Sequence, residues 1–192
     1  MVTLCRRFIS ATRGVAAIEF AILAPMLVLM LVETFDIGNA IAVYMKVRAA
    51  TFALASITNQ YATGTTGIQS ADMTAITGST ASILAPYSST PTTLKITQIK
   101  MTSATRARVS WSYAVNGTAY AANSSWTRLP TQLTSTNPCN SYPCYLVFAE
   151  VSYAYQPVLF SSIMNSLNMS DSIYVTPRSS ACIQYLGVPA TC

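Results

Sequence analysis

The sequence contains no histidine. That removes the commonest general base, the commonest metal ligand and every Ser-His or Cys-His nucleophile pair. Charge is scarce too: Asp, Glu, Lys and Arg make up 9% of the chain, against about 25% in an ordinary soluble domain. The six acidic residues, Glu19, Glu33, Asp36, Asp72, Glu150 and Asp171, compose no local catalytic pattern. Basic residues form no run longer than a K-x-R or R-x-R pair, a poor nucleic-acid footprint despite the net charge of +5. The chain is therefore read as a non-enzyme with no cofactor, no metal and no nucleic-acid partner.

What is present is apolar and aromatic. Hydrophobic residues account for 52% of the 192, with 11 Tyr, 6 Phe and 2 Trp. Such a composition builds a core and excludes a disordered chain. The length allows one domain of ordinary size plus a membrane segment.

The segment Val15 to Val32 reads VAAIEFAILAPMLVLMLV and holds a single charge. As a helix it spans about 27 Å, close to the hydrocarbon thickness of a bilayer. Arg6, Arg7 and Arg13 precede it while Glu33 and Asp36 follow, so the N-terminus is expected in the cytoplasm and the bulk of the chain outside. A conventional secretory signal has an apolar core of about 7–15 residues ending in a small-x-small site. This run is longer and ends in Val-Glu-Thr-Phe-Asp.

Glu19 stands inside the apolar run. A carboxylate at mid-membrane costs about 2.5–3.5 kcal/mol on insertion scales. One reading lets it reach back to the interface. Another supplies a counterion: a cut after Gly14 makes Val15 the N-terminus and puts its ammonium one helical turn from Glu19. Gly14 suits a cut, because a residue without a side chain lets a protease approach the backbone.

The small residue at that position, the basic residues before it and Glu five places into the mature chain resemble a type IV prepilin processing site. The stretch from Arg13 through Gly14, Val15, Ala16, Ala17, Ile18, Glu19, Phe20, Ala21, Ile22, Leu23 and Ala24 to Pro25 resembles the TadE/TadG family of the tight-adherence pilus. So do the closing Asp36-Ile37-Gly38, where the family has Glu-Phe-Gly, and the Ala-rich stretch from Tyr44 to Ala50. The resemblance covers about residues 13–57, and the length suits TadE or TadF better than the larger TadG.

The resemblance implies a minor pilin or pseudopilin supporting a pilus for attachment and biofilm formation. Gly14 and Val15 would flank the leader-peptidase cut, and Glu19 and Phe20 would serve recognition and assembly. Its implied partners are the inner membrane, a prepilin peptidase, other pilins or pseudopilins, and the assembly platform. The domain would be periplasmic, with the protein optionally incorporated into a surface pilus. The rival reading is an uncleaved, signal-anchored envelope protein outside any pilus.

The expected fold is α+β and pilin-like, with a small antiparallel sheet packed on a long N-terminal helix. Residues 1–14 are read as leader, 15–35 as membrane helix, 36–63 as its amphipathic continuation and 64–192 as the exported domain. Ala40, Val43, Val47, Ala50, Leu54, Ile57 and Tyr61 recur at alternating spacings of three and four, one stripe of a helix. The stripe is covered either by the chain's own domain or by neighbouring subunits; Lys46, Arg48 and Asn59 fall off it. Pro25 predicts a bend, and Glu33 and Asp36 read as solvated topology markers.

Gly64 is expected to close the helix, and Ser70 to cap a short one reaching about Leu84. Strands are predicted over Leu94–Thr102, Arg106–Val115, Thr118–Trp126 after an Asn116-Gly117 hairpin turn, Tyr145–Tyr155 and Ser172–Ser179. Another short helix is placed at Leu159–Leu167. In the second strand Val109, Trp111, Tyr113 and Val115 share one side. Four cysteines follow the membrane run, an even set suited to an oxidising compartment. Pairing Cys139 with Cys144 and Cys182 with Cys192 is one of three connectivities. Their irregular spacing argues against metal.

Overall fold

A computed structural model describes residues 12–61, 67–87, 92–131, 133, 139, 141–159, 166–178 and 181–186. It shows an α+β protein: a long N-terminal helix, α1 (Thr12–Gln60), a short one, α2 (Ser70–Ser82), and one antiparallel sheet. The strands are β1 (Thr92–Ser103), β2 (Arg106–Val115), β3 (Ser125–Trp126), β4 (Cys144–Tyr155) and β5 (Leu167–Val175), in the spatial order β3-β2-β1-β4-β5.

Helix α1 is 49 residues long, about 74 Å at 1.5 Å per residue. Helical structure runs unbroken through Pro25, a tolerance common in membrane helices. Its first part is bare: Phe20, Ile22, Leu27 and Leu31 are all more than half exposed. Among the described residues nothing covers this apolar stretch, which is long and apolar enough to cross a membrane. By length and composition such a helix suits a single-pass membrane anchor.

Burial begins at Asp36 and follows the helical period. Val43, Val47, Ala50 and Leu54 are fully buried, with Ala40, Ile57 and Tyr61 packed at the margin. The chain's own sheet and α2 cover the stripe, with Ile96, Trp111, Val147, Ala149, Val151, Met73 and Ile76 in the same core. Thr51 and Thr58 also point inward, their hydroxyls donating to the Val47 and Leu54 carbonyls at 2.9 and 2.8 Å. Asn59, expected off the stripe, is buried as well. The helix ends at Gln60, and Gly64 lies outside the described residues.

The cap of helix α2 lies one residue earlier than predicted. Gln69 is the N-cap, forming a capping box with Asp72, whose carboxylate accepts from the Gln69 N–H at 2.9 Å. Ser70 is the first helical residue.

The sheet has two buried faces. Alternate residues of β4, Val147, Ala149, Val151, Tyr153 and Tyr155, face α1. The intervening Leu146 and Phe148 join a second core with Ile99, Met101, Ala107, Val109 and Trp126. Residues of the β2–β4 connection, among them Tyr120, Leu129 and Leu133, roof that second core.

Three predictions about strands are corrected. Val109 and Trp111 do not share a side, because register shifts between Gln98 and Ile99. Val109 pairs with Ile99 and Trp111 with Gln98, so Ser110 is an extra residue that turns the strand over. Asn116 and Gly117 do not close a tight hairpin: β3 is only Ser125–Trp126 and pairs with the far end of β2. Asn116, at φ 54°, instead folds back on β1, its amide donating to the Thr92 carbonyl at 2.9 Å. Finally, β5 begins at Leu167 and ends at Val175, so the predicted helix does not extend to Leu167; positions 160–165 lie outside the described residues.

Candidate assembly site on the N-terminal helix

Gly14, Val15, Glu19 and Phe20 all lie on the exposed first turns of α1. Val15 and Glu19 are one turn apart on one face, a rise of about 6 Å. A Cβ added at Gly14 would meet nothing within 4 Å, so the backbone there is open to approach. These four residues belong to a bare helix end, away from both cores.

Where the bare helix meets the folded domain stands Asp36. It is 8% exposed, and both carboxylate oxygens accept from the Leu159 N–H at 3.3 Å. The solvated reading is therefore wrong for Asp36, whereas Glu33 is exposed. The contact spans 123 positions of sequence, which is why local spacing did not show it. Beside it the Tyr155 hydroxyl is buried without a hydrogen-bond partner among the described residues. Burial first, then the Asp36 charge and the neighbouring Tyr87 and Tyr153, raise the Tyr155 phenol above its ordinary range.

Lys46 leaves the helix sideways. Its ammonium donates to the carbonyls of Ala85 and Ile83 after α2, the latter at 3.4 Å, and lies 6.0 Å from the Tyr87 ring centre. A cation on freed carbonyls at a helix C-terminus is favourable. Lys46 thus ties α2 to α1.

On the opposite face Arg128 grips Glu150 with two nitrogens, at 3.0 and 3.1 Å. Tyr120 accepts from Arg128 at 2.6 Å and donates to Glu150 at 3.1 Å. Tyr174 donates to the Arg128 carbonyl at 2.6 Å and accepts from the Trp126 indole at 3.2 Å. Burial pushes the Glu150 carboxyl up, but the Arg128 hydrogen bonds and charge, with Tyr120 and Lys95, leave it below its ordinary value. The acid is spent on the arginine, so the cluster is a clasp holding the β2–β4 connection to the sheet. No sequence signal revealed it, since its members stand far apart in the chain.

Cys139 is bonded to Cys144, with Cα atoms 6.0 Å apart. Cys182 is buried and oxidised; Cys192, its expected partner, lies outside the described residues. The segment around Cys182 is held by Gln98, fully buried at the β2 bulge. Its Oε1 accepts from the Ile183 N–H at 2.7 Å, and its Nε2 donates to Cys182 Sγ at 3.1 Å and Ser110 Oγ at 3.3 Å. Trp111 Nε1 donates to the Ile183 carbonyl at 2.8 Å. Gly67, at φ +60°, lets the next strand-like segment lie against this one, because a Cβ there would sit 2.8 Å from Gln184. Ile68 then bridges to Tyr185.

Residues 14–56 match the family model described as TadE-like protein. The chain carries a TadE-like domain. That match begins at the residue preceding the expected cut, includes Glu19, and stops four residues before α1 ends. It therefore covers the bare helix and the packed stripe as far as Leu54, and none of the strands. No curated protein and no solved structure matches the chain. The TadE-like domain connects the chain with the tight-adherence pilus in general, and with membrane association and pilin partners.

Proposed function

We propose that the protein is a TadE-like minor pilin or pseudopilin that supports assembly of a tight-adherence pilus for surface attachment and biofilm formation. A prepilin peptidase cuts between Gly14 and Val15, and Val15 then supplies the ammonium that neutralises Glu19 in the apolar phase. The N-terminus faces the cytoplasm, α1 anchors the chain in the inner membrane, and the sheet domain is periplasmic until it joins other pilins at the assembly platform. Disulfides Cys139–Cys144 and Cys182–Cys192 suit that oxidising compartment.

One observation carries this reading: the TadE-like domain coincides with a single continuous helix, bare and apolar around Glu19 and clamped into the chain's own core beyond Asp36. A helix so divided can slide into an assembly while holding its domain in fixed orientation. The role is structural.

Intact mass of the purified protein tests it. In cells with an active leader peptidase the mature chain should lack its first fourteen residues and begin at Val15. Glu19→Ala should leave membrane insertion intact and impair incorporation into the assembly. A protein still starting at Met1, with normal piliation in the Glu19→Ala strain, would replace this reading by the uncleaved envelope anchor.

A further inference from the structure

The end of the sheet remote from the membrane helix holds a cavity of about 640 Å³. Its place follows from the register. Tyr155 ends β4 shortly before Leu159, which is bound to Asp36 on α1. Tyr153 pairs with Thr92 at the start of β1, and Cys144 with Met101 near its end. The cavity opens at the β1–β2 hairpin beyond Met101, lined by Thr102, Thr105, Arg106, Arg108, Ser125 and Thr127 among others. At ~3.3 Å per residue, the length of β1 puts it roughly 35 Å from the strand ends nearest Asp36.

Its charge is unbalanced. All six acidic residues of the chain are described, and none lines the cavity. Glu150, which could have served, is held by Arg128. Arg106 and Arg108 are exposed and have no carboxylate partner among the described residues. Arg108 spends one N–H on the Asn123 carbonyl at 3.1 Å. Directly across from it in register stands a third cation, Lys100. Lys100 itself lies 5.7 Å from the Tyr145 ring centre and outside the lining, so the two guanidiniums of the cavity face a like charge across the strands and no carboxylate.

The remaining lining indicates which anion suits them. Thr105, Ser125 and Thr127 expose their hydroxyls there, and the partly exposed Leu129 lines it together with the largely buried Trp126. Guanidinium forks suit the two oxygens of a carboxylate or sulfate, and exposed hydroxyls beside an apolar surface suit a sugar ring. We propose that this cavity binds an acidic saccharide, a sugar chain bearing carboxylate or sulfate groups. The cavity faces away from the anchor, so a polymer can reach it.

The test uses the full chain in nanodiscs of neutral lipid. A sulfated heparin hexasaccharide, an oligogalacturonate, a neutral dextran oligosaccharide and inorganic phosphate are titrated separately by calorimetry at low and moderate salt. One or both acidic saccharides should bind, which also tells sulfate from carboxylate, and the neutral one should not. Arg106→Ala with Arg108→Ala should weaken binding by about tenfold or more, as expected for losing charge-assisted hydrogen bonds. Arg48→Ala with Arg178→Ala removes the same charge elsewhere and should leave binding unchanged. Should the first pair fail to fold, Arg106→Ala alone carries the test, its side chain being exposed.

Equal weakening by both pairs would show a net-charge effect and overturn the proposal. So would failure of both acidic saccharides to bind, or phosphate binding as tightly as they do. Binding is read on the protein whether or not its leader is cut, so this proposal and the pilin reading fail separately.

Discussion

Replacing Gln98 by leucine should loosen the C-terminal segment while leaving the sheet folded. Gln98 is fully buried and makes the Ile183, Cys182 and Ser110 hydrogen bonds described above. Leucine is of similar size, so little cavity forms. The Ile183 N–H, however, loses its 2.7 Å acceptor inside the protein, and an unsatisfied buried donor costs about 1–3 kcal/mol. The added apolar burial offsets part of this, since a methylene group contributes about 0.8 kcal/mol. A net loss of about 1–2 kcal/mol is expected, or a fall in Tm of about 2–8 °C for a chain of this size.

Two measurements check it on the full chain in detergent. Thermal unfolding reads the global loss, and hydrogen exchange reads the Ile183 amide, which should lose protection before the β1 and β4 amides do. Gln98→Glu sharpens the test. It keeps an acceptor but buries a carboxyl, whose pKa burial raises. A group with a raised folded pKa stabilises at low pH and loses that contribution as pH rises through the folded value. The Gln98→Glu protein should therefore be closer to wild type at pH 5 than at pH 8. An unchanged melting temperature in Gln98→Leu together with unchanged Ile183 protection would refute the anchoring role.

The Arg128–Glu150 clasp should give an acid-sensitive contribution to stability. The folded Glu150 pKa lies below its ordinary value, so the contribution is present above the unfolded carboxylate pKa and disappears as pH falls through the folded one. Because the Arg128 side chain is 44% exposed, solvent screening reduces its worth to about 1 kcal/mol. Arg128→Met should lower the urea midpoint more at pH 7 than at pH 3, and an identical loss at both pH values would count against the clasp. Leu54→Ala should cost about 2–5 kcal/mol from a fully buried site, whereas Phe52→Ala, at a position 60% exposed, should cost within about 0.5 kcal/mol. Equal losses at the two positions would mean that the helix is not seated as described.

Much of the fold was legible because local chemistry decided it. The apolar run after Arg13 and the three-four spacing from Ala40 to Leu54 follow from helix geometry alone, as the β2 boundaries follow from alternation between turns. Where reading failed, a distant contact had the deciding voice. The Thr118–Trp126 strand shrank to two residues because the connection turned aside to cover Phe148 and Ile99. The face change at Ser110 needed the neighbouring strand's register, which no single strand contains.

The sequence by itself determined that a long apolar helix precedes a charge-poor, strand-rich domain, and it placed Gly14, Val15, Glu19 and Phe20 at the helix start. Tertiary structure alone decided that Asp36 is buried against Leu159, that Glu150 is consumed by Arg128, and that Arg106 and Arg108 are left without acid beside Lys100. The reason is one of range. Helical and strand periods are written in neighbouring residues, whereas the partner of a charge is fixed only when strands far apart in the chain are brought into register.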